Sequence, residues 1–151
     1  MLTTDQKGAI AEAAIVQSAI KLGISVSRPV LRERYDLVFD LGGRSLRVQC
    51  KWASREGEIV LVRSYSCRRT RDGLIRRPYS TNEVDAVAAY CAELDRCYLL
   101  PGELFSGRAV IHLRLGPTRN SQERGINWAE AFEFAGTLGR HQGAIAQLGE
   151  R

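Results

Sequence analysis

The chain has 151 residues, of which 44% are hydrophobic, and its formal net charge is +5. This length suits one domain, and the hydrophobic content can form a core, which excludes a disordered chain. No segment approaches the ~18 apolar residues of a membrane helix, and the N-terminus lacks the basic and apolar pattern of a secretory signal. We therefore expect a soluble, cytoplasmic protein whose basic charge suits a polyanionic partner.

The N-terminal segment predicts a helix followed by a short strand. Thr3 or Thr4 can cap the helix, and acidic Asp5 lies in its first turn. Gly23 is typical of a helix end, and a strand over 24–28 follows.

Two alternating segments, 35–41 and 44–52, predict a β-hairpin around Gly42 and Gly43. A Gly-Gly pair suits a two-residue turn because both residues can take positive φ.

The rest of the chain predicts further strands and two more helices. A capping box formed by Ser80 and Glu83, followed by apolar residues at helical spacing, favours a second helix. The predicted elements are a strand over 58–65, a helix from Ser80 to about Leu94, strands over 97–100 and 109–115, and a short helix over 128–134. This order indicates a mixed α/β domain over residues 1–136, with 137–151 as a tail that adds little to the fold.

The four cysteines, Cys50, Cys67, Cys91 and Cys97, form no C-x-x-C pair and have no histidine at a zinc-ligand spacing. We expect reduced thiols and no structural zinc.

The hairpin register predicts where the chemistry lies. If Leu41 pairs with Arg44, then Asp36 lies opposite Gln49, and Lys51 points to the same side. One face then holds Asp36, Asp40, Arg47, Gln49 and Lys51, and the other is nearly all apolar and predicts the core side.

Oxygen donors on this face suit a hard divalent cation. Asp36 offers a carboxylate, Gln49 a side-chain carbonyl, and nearby backbone carbonyls, with Cys50 among the candidate ligands, can complete the shell together with water. Lys51 could orient or deprotonate a water, or stabilise charge on a phosphate. On spacing alone, a half-solvated hairpin face with a loose Asp36–Lys51 pair explains the pattern slightly better.

Glu12 shifts this balance because it is the only charge between Gly8 and Ile20. Burying such a carboxylate is costly without a partner or a metal. Glu12 either lies beside the hairpin site or marks a solvent-facing stripe of the helix with Gln17 or Lys21.

These residues together resemble the PD-(D/E)xK nuclease superfamily, in which a helix with a glutamate precedes a hairpin carrying Asp and then (D/E)-x-K. The matching residues are Glu12, Asp36 and the Q-C-K sequence from Gln49 to Lys51. Gln49 departs from the usual acid, which lowers the negative charge of the site and argues against a two-metal mechanism. The Q-x-K form is similar to the small homing endonucleases of bacterial group I introns. This likeness continues at Y-S-T-N-E-V-D-A-V-A-A-Y, C-Y-L-L-P and R-N-S-Q-E-R-G-I-N-W-A, up to about Phe134.

The resemblance implies a restriction-endonuclease-like core with a mixed central β-sheet flanked by helices. It also implies cleavage of double-stranded DNA at a long site with Mg²⁺, for which Mn²⁺ could substitute, and a homo-oligomer, dimeric or tetrameric. The implied catalytic residues are Glu12, Asp36, Gln49 and Lys51.

An arginine-rich segment around Asp72-Gly73 is a candidate DNA-binding ribbon or loop. Its arginines are Arg68, Arg69, Arg71, Arg76 and Arg77. The alternative for this segment is a solvated, flexible loop. For the whole chain, a junction-resolving or repair nuclease of the same fold and a non-catalytic DNA-binding module also remain open.

Overall fold

A computed structural model describes residues 1–117, 120 and 124–138. Its elements are helix α1 (Thr4–Lys21), strands β1 (Ser25–Ser27), β2 (Leu37–Asp40), β3 (Ser45–Glu56), β4 (Ile59–Arg63), β5 (Tyr65–Thr70), β6 (Gly73–Pro78), β7 (Ala86–Cys91) and β8 (Arg96–Pro101), helix α2 (Gly102–Phe105), strand β9 (Val110–Arg114) and a 3-10 helix (Ala129–Phe132). The predicted first helix is confirmed. Thr3 caps it in a reciprocal capping box with Gln6, and Gly23 beyond its end has a φ of +80°.

The long strand β3 organises a seven-stranded sheet. Its path runs β1-β2-β3-β4-β9, while β7 pairs with another part of β3 and β8 lies beside β7. Among the described strands only the β3–β7 pairing is parallel. Strands β5 and β6 leave this sheet and form a separate two-stranded antiparallel ribbon, called the ribbon below. The prediction of a mixed α/β domain is confirmed.

Both faces of the sheet are covered. Helix α1 packs its Ile15 on one face, against a cluster that includes Phe39 and Val48. The opposite face carries a second cluster that includes Tyr98 and Phe105. On the predicted polar face of the hairpin, Asp36, Gln49 and Lys51 are therefore only partly exposed, whereas Asp40 is exposed.

The predicted second helix is wrong. Residues Ser80 and Glu83 form a turn, and the segment after it is strand β7, paired with β3 on one side and β8 on the other. Four consecutive β7 residues, from Ala86 to Ala89, are buried. A strand buried on both faces has a continuous apolar sequence, which periodicity alone cannot distinguish from a buried helix.

The predicted C-terminal helix over 128–134 is only partly correct. The 3-10 helix is short, and residues 134–138 then form a helical turn whose Phe134 and Leu138 are buried in the α1-side cluster. Residues 118–119, 121–123 and 139–151, which include most of the predicted tail, lie outside the described residues. None of the helices in the described ranges is long and apolar enough to cross a membrane.

Candidate active site

The hairpin register is as predicted wherever the strands pair. Leu37 faces Val48 across β2 and β3, and the amide of Leu41 donates to the carbonyl of Arg44 at 2.8 Å. Of the two turn glycines only Gly42 has a positive φ, at +95°, and its amide donates to the Asp40 carboxylate at 2.9 Å. A single positive φ at the first position is typical of a type II′ turn.

Asp36 lies one residue before β2, where the hairpin begins. Its amide donates to the carbonyl of Val48 at 2.8 Å, and its Oδ2 accepts a hydrogen bond from the Cys50 amide at 3.0 Å. Val48 and Cys50 lie on either side of Gln49 in the sequence, so these two hydrogen bonds hold Asp36 beside Gln49. Burial raises the pKa of Asp36, although the Cys50 hydrogen bond opposes the shift. A half-buried carboxylate of this kind gains from a nearby cation.

Lys51 is the cation that the hairpin brings to this carboxylate. Its Nζ donates to the carbonyl of Tyr65 at 2.9 Å and lies 5.0 Å from the ring centroid of Tyr79. Burial lowers the pKa of Lys51, Asp36 raises it, and Arg34 lowers it. Lys51 lowers the pKa of Asp36, and Asp36 raises the pKa of Lys51, so each side chain favours the charged form of the other.

Gln49 and Cys50, which precede Lys51 on β3, supply neutral groups close to Asp36. Gln49 is half-buried, and its Nε2 makes a long contact of 3.5 Å with the Cys50 carbonyl. Burial raises the pKa of the Cys50 thiol well above its ordinary range, so the thiol stays neutral. The main-chain carbonyl of Cys50, rather than its sulfur, is therefore the group that could contact a hard cation.

Glu12 on α1 lies close enough to raise the pKa of both Asp36 and Cys50. Its carboxylate accepts a hydrogen bond from Arg28 at 2.9 Å, with the Arg28 side chain 60% exposed and the Glu12 side chain 31% exposed. Of the two alternatives for Glu12, the structure favours a position beside the hairpin residues, where the partly buried carboxylate is paired with Arg28.

The other two polar residues of the predicted face act elsewhere. Asp40 is exposed and binds the turn at Gly42. Arg47 forms an ion pair with Asp85 at 3.0 Å and also donates to the carbonyls of Thr81 and Asn82. The pair fastens β3 to the segment that leads into β7.

Two residues of the cluster were missed from the sequence. The guanidinium carbon of Arg34 lies 4.2 Å from the ring centroid of Tyr79, which also contacts Lys51. Burial raises the pKa of Tyr79 to about 12. No local pattern marks either residue, because they meet only when the ribbon folds back against the hairpin.

The donor set fits a single hard cation better than a cluster of metal ions. Within the described part of the chain, no group of three or more His, Cys, Asp and Glu side chains could hold a metal. Asp36, Gln49 and the Cys50 carbonyl instead offer one charged and two neutral oxygen donors, the type that Mg²⁺ prefers.

The ribbon carries the predicted basic segment. Arg68, Arg69 and Arg71 are exposed and make no ion pair among the described residues, and Arg76 lies against the ring of Tyr65, 4.9 Å from its centroid. Arg77 differs, because it donates to Glu83 at 2.8 Å and so fastens the base of the ribbon.

Comparison with known proteins identifies the class. The profile of the PD-(D/E)XK endonuclease family matches residues 2–135, and the chain belongs to this family. Its fold is therefore that of a PD-(D/E)XK endonuclease. Among solved structures the chain is similar to a bacterial homing endonuclease, I-Ssp6803I, with 33% identity and a TM-score of 0.75. The similarity covers 97% of this chain and 99% of that one. No curated protein matches the sequence.

Proposed function

We propose that this chain is a Mg²⁺-dependent endonuclease that cuts double-stranded DNA at a specific, long site, as a homing endonuclease does. Its family membership makes it a nuclease. The finer proposal is supported by the similarity over almost the whole chain to a bacterial homing endonuclease. The single observation that carries the catalytic assignment is the register of the hairpin, whose hydrogen bonds hold Asp36 opposite Gln49 and so on the same face as Gln49 and Lys51.

Asp36, Gln49 and the Cys50 carbonyl would hold the metal, and Mn²⁺ could replace Mg²⁺. A bound ion supplies charge stabilisation and a more acidic water. The Cys50 amide keeps the Asp36 carboxylate in place through its 3.0 Å hydrogen bond. Glu12 adds negative charge from α1, and its contact with Arg28 limits how much of that charge reaches the centre.

Lys51 is the residue we assign to the phosphate and the attacking water. Its ammonium group can stabilise negative charge that develops on the phosphate. Because burial lowers its pKa, Lys51 is neutral more often than an exposed lysine, and the neutral amine can take a proton from the attacking water and become the ammonium form. The neighbouring Asp36 opposes that shift and keeps the charged form populated.

We propose the ribbon as the main DNA-binding element, through Arg68, Arg69, Arg71 and Arg76, with a smaller contribution from Arg77. A two-stranded ribbon fits a DNA groove, and exposed arginines can bind phosphates or guanine edges. The first three guanidinium groups are exposed and make no ion pair within the part of the chain that the structure describes, which supports this assignment.

We further infer a cytoplasmic homo-oligomer, dimeric or tetrameric, encoded within a group I intron. The similarity to a bacterial homing endonuclease supports these inferences. Finding the gene inserted in an intron would support the homing assignment, and finding it elsewhere would count against it.

The test of the catalytic site begins with the intact chain and a randomised library of duplex DNA, from which the cleaved sequence is recovered. We expect Asp36→Asn and Lys51→Ala to reduce Mg²⁺-dependent cleavage of this duplex by at least about 100-fold. Binding of the same duplex without Mg²⁺ should persist in both variants.

Matched controls are Asp40→Asn, on the same hairpin, and Lys21→Ala, at the end of α1. Both should cut at close to the rate of the unmodified chain. Undiminished cleavage by both Asp36→Asn and Lys51→Ala would show that the active centre lies elsewhere.

A further inference from the structure

Two cations, Lys51 and Arg34, hold the base of the ribbon. Lys51 donates from Nζ to the carbonyl of Tyr65, the first residue of β5, at 2.9 Å. Arg34 donates from Nη2 to the carbonyl of Arg77 at 3.2 Å and to that of Pro78 at 3.4 Å. Tyr65 and Pro78 are paired with each other at the point where the ribbon joins the rest of the chain. Each strand of the ribbon is therefore bound to one cation of the active centre.

Tyr79 connects these two cations. It follows the ribbon directly, and only 3% of its surface is exposed. Its ring centroid lies 4.2 Å from the Arg34 guanidinium carbon and 5.0 Å from Lys51 Nζ. Both distances are within the range of a cation–π interaction, which strengthens when the groups are desolvated. One aromatic ring thus restrains both side chains.

Arg34 is suited to a positioning role by its own restraints. Its side chain is 20% exposed, and its Nε lies 3.6 Å from the Glu83 carboxylate but has no hydrogen-bond partner within the described residues. The Glu83 carboxylate also accepts a hydrogen bond from Arg77 at 2.8 Å, so Glu83 contacts both Arg34 and strand β6 of the ribbon. A guanidinium held by two carbonyls, a ring and a carboxylate has little freedom to move independently of the ribbon.

Lys51 needs such restraint because lysine is a flexible chain that ends in a compact charge with three donors. A catalytic group contributes fully only when it is held close to its productive geometry. The Tyr65 carbonyl and the Tyr79 ring fix the ammonium group at two points, and both points belong to the ribbon or to the residue after it.

We propose that Arg34 and Tyr79 are positioning residues that couple the ribbon to Lys51, so that DNA held by the ribbon sets the position of the catalytic ammonium group. This inference rests on the proposed function, since it assigns Lys51 to the phosphate and the ribbon to DNA. Its consequence is that the two residues affect the cleavage rate far more than they affect DNA affinity.

The test compares Tyr79→Leu, Tyr79→Phe, Arg34→Gln and the matched control Arg32→Gln in the full chain. Arg32 is an exposed arginine two residues from Arg34 with no ion pair among the described residues. The probe is the linear duplex recovered from the randomised library. Single-turnover cleavage with Mg²⁺ gives the rate, and binding without Mg²⁺ gives the affinity.

We expect Tyr79→Leu and Arg34→Gln to cut at least about tenfold more slowly while binding the duplex within about threefold of the unmodified chain. Tyr79→Phe keeps the ring and should restore most of the rate, and Arg32→Gln should leave rate and affinity unchanged. A loss of affinity that matches the loss of rate would overturn the proposal, because it would mean that the two residues only support the ribbon. Failure of Tyr79→Phe to restore the rate would also overturn the role of the ring.

A second measurement does not depend on cleavage. The chain has only three lysines, Lys7, Lys21 and Lys51, so ¹³C-labelled lysine gives few NMR signals, and Lys51→Arg assigns the relevant one. We expect the Lys51 signal to move in Arg34→Gln and Tyr79→Leu and to stay in place in Arg32→Gln. An unmoved signal in folded Arg34→Gln would refute positioning, even if Tyr79→Leu does not fold. If the unmodified chain cuts no DNA, the proposed function fails, and the lysine spectra still decide whether Lys51 is positioned in this way.

Discussion

Charges of both signs lie around Asp36. Glu12 raises the pKa of Asp36 and Lys51 lowers it, while Arg34 lowers the pKa of Lys51. Gln49 adds a donor without adding charge. A divalent cation is held more tightly as the number of charged ligands rises. The centre should therefore bind its metal weakly until a DNA phosphate contributes further negative charge.

The neutral Gln49 side chain can be exchanged for a charged one of similar size. We expect Gln49→Glu to lower the Mg²⁺ concentration for half-maximal cleavage by about tenfold, because it adds one charged ligand. Titration of the cleavage rate with Mg²⁺, together with calorimetric titration of the DNA-free protein, measures the effect. Gln49→Ala is the control and should raise the required concentration. A higher Mg²⁺ requirement in Gln49→Glu would contradict the assignment of Gln49 as a ligand.

A second residue-scale prediction concerns the joint between β3 and β7. The hydrogen bond from Arg47 lowers the pKa of Asp85, so the ionised carboxylate stabilises the fold above the ordinary aspartate pKa of 3.8. This contribution is lost as the pH falls through the lowered pKa. Because both side chains are about one-third exposed, we expect Asp85→Asn to cost only about 0.5–1 kcal/mol at neutral pH.

Urea unfolding at about pH 7 and about pH 3 measures this difference. The free energies of unfolding of Asp85→Asn and the unmodified chain should converge at the lower pH. The control, Asp72→Asn in the ribbon turn, should change stability little at either pH. An Asp85→Asn effect of equal size at both values would show that shape, rather than charge, matters at this joint.

Individual elements show which parts of the molecule can be predicted from sequence. Helix α1 and the β2–β3 hairpin depend on local chemistry, namely the Thr3 cap and the Gly42 turn, so both were predictable. Counting residues from that turn also predicted that Asp36, Gln49 and Lys51 lie on the same face of the hairpin. Strand β7 was not predictable in this way, because its character comes from burial between two neighbours.

The site itself shows the same limit. Arg34 and Tyr79 are far apart along the chain and meet at the ribbon base, which no sequence spacing records. The ion pair of Glu12 with Arg28 likewise depends on how α1 and β1 pack. Local patterns therefore brought the proposed catalytic residues together, whereas the groups that restrain them depend on the tertiary fold.

The ribbon yields a prediction at the scale of elements. Each phosphate contact that is lost should reduce the slope of log affinity against log salt concentration by about one unit. We expect this flattening for Arg68→Gln combined with Arg69→Gln, since both side chains are exposed. Arg77→Gln should flatten the slope less, because Arg77 is engaged with Glu83.

Binding of the recovered duplex over a range of salt concentrations provides the measurement. Arg55→Gln, near the Glu56 end of β3, removes one charge outside the ribbon and serves as the control. A slope that is the same in the double variant and in the unmodified chain would remove the ribbon from the DNA interface.

At the scale of the whole molecule, each chain offers one Asp36–Lys51 centre, whereas a duplex has two strands to cut. Two copies acting together are the simplest way to break both strands. We therefore expect light scattering to give a mass of at least twice the 16.8 kDa of one chain.

Mixing subunits tests the same prediction functionally. Assemblies formed from unmodified chains and Lys51→Ala chains should nick one strand of the recovered duplex, while the unmodified assembly breaks both. With the recovered sequence placed in a supercoiled plasmid, the nicked circular and linear products are separated on a gel. A monomer that linearises the duplex in one binding event would contradict this arrangement.

The way the ribbon joins the chain has a consequence for how such a protein can change. The ribbon begins at Tyr65 and ends at Pro78, and these two residues pair with each other. The ribbon residues between them therefore do not need to pass through the core. Adding residues symmetrically to both strands would extend the ribbon while leaving the buried core intact, and lengthening a closed loop adds little entropic cost. The ribbon could therefore be replaced while the residues at its base remain the same, and if it binds DNA as proposed, such a replacement could change the DNA target.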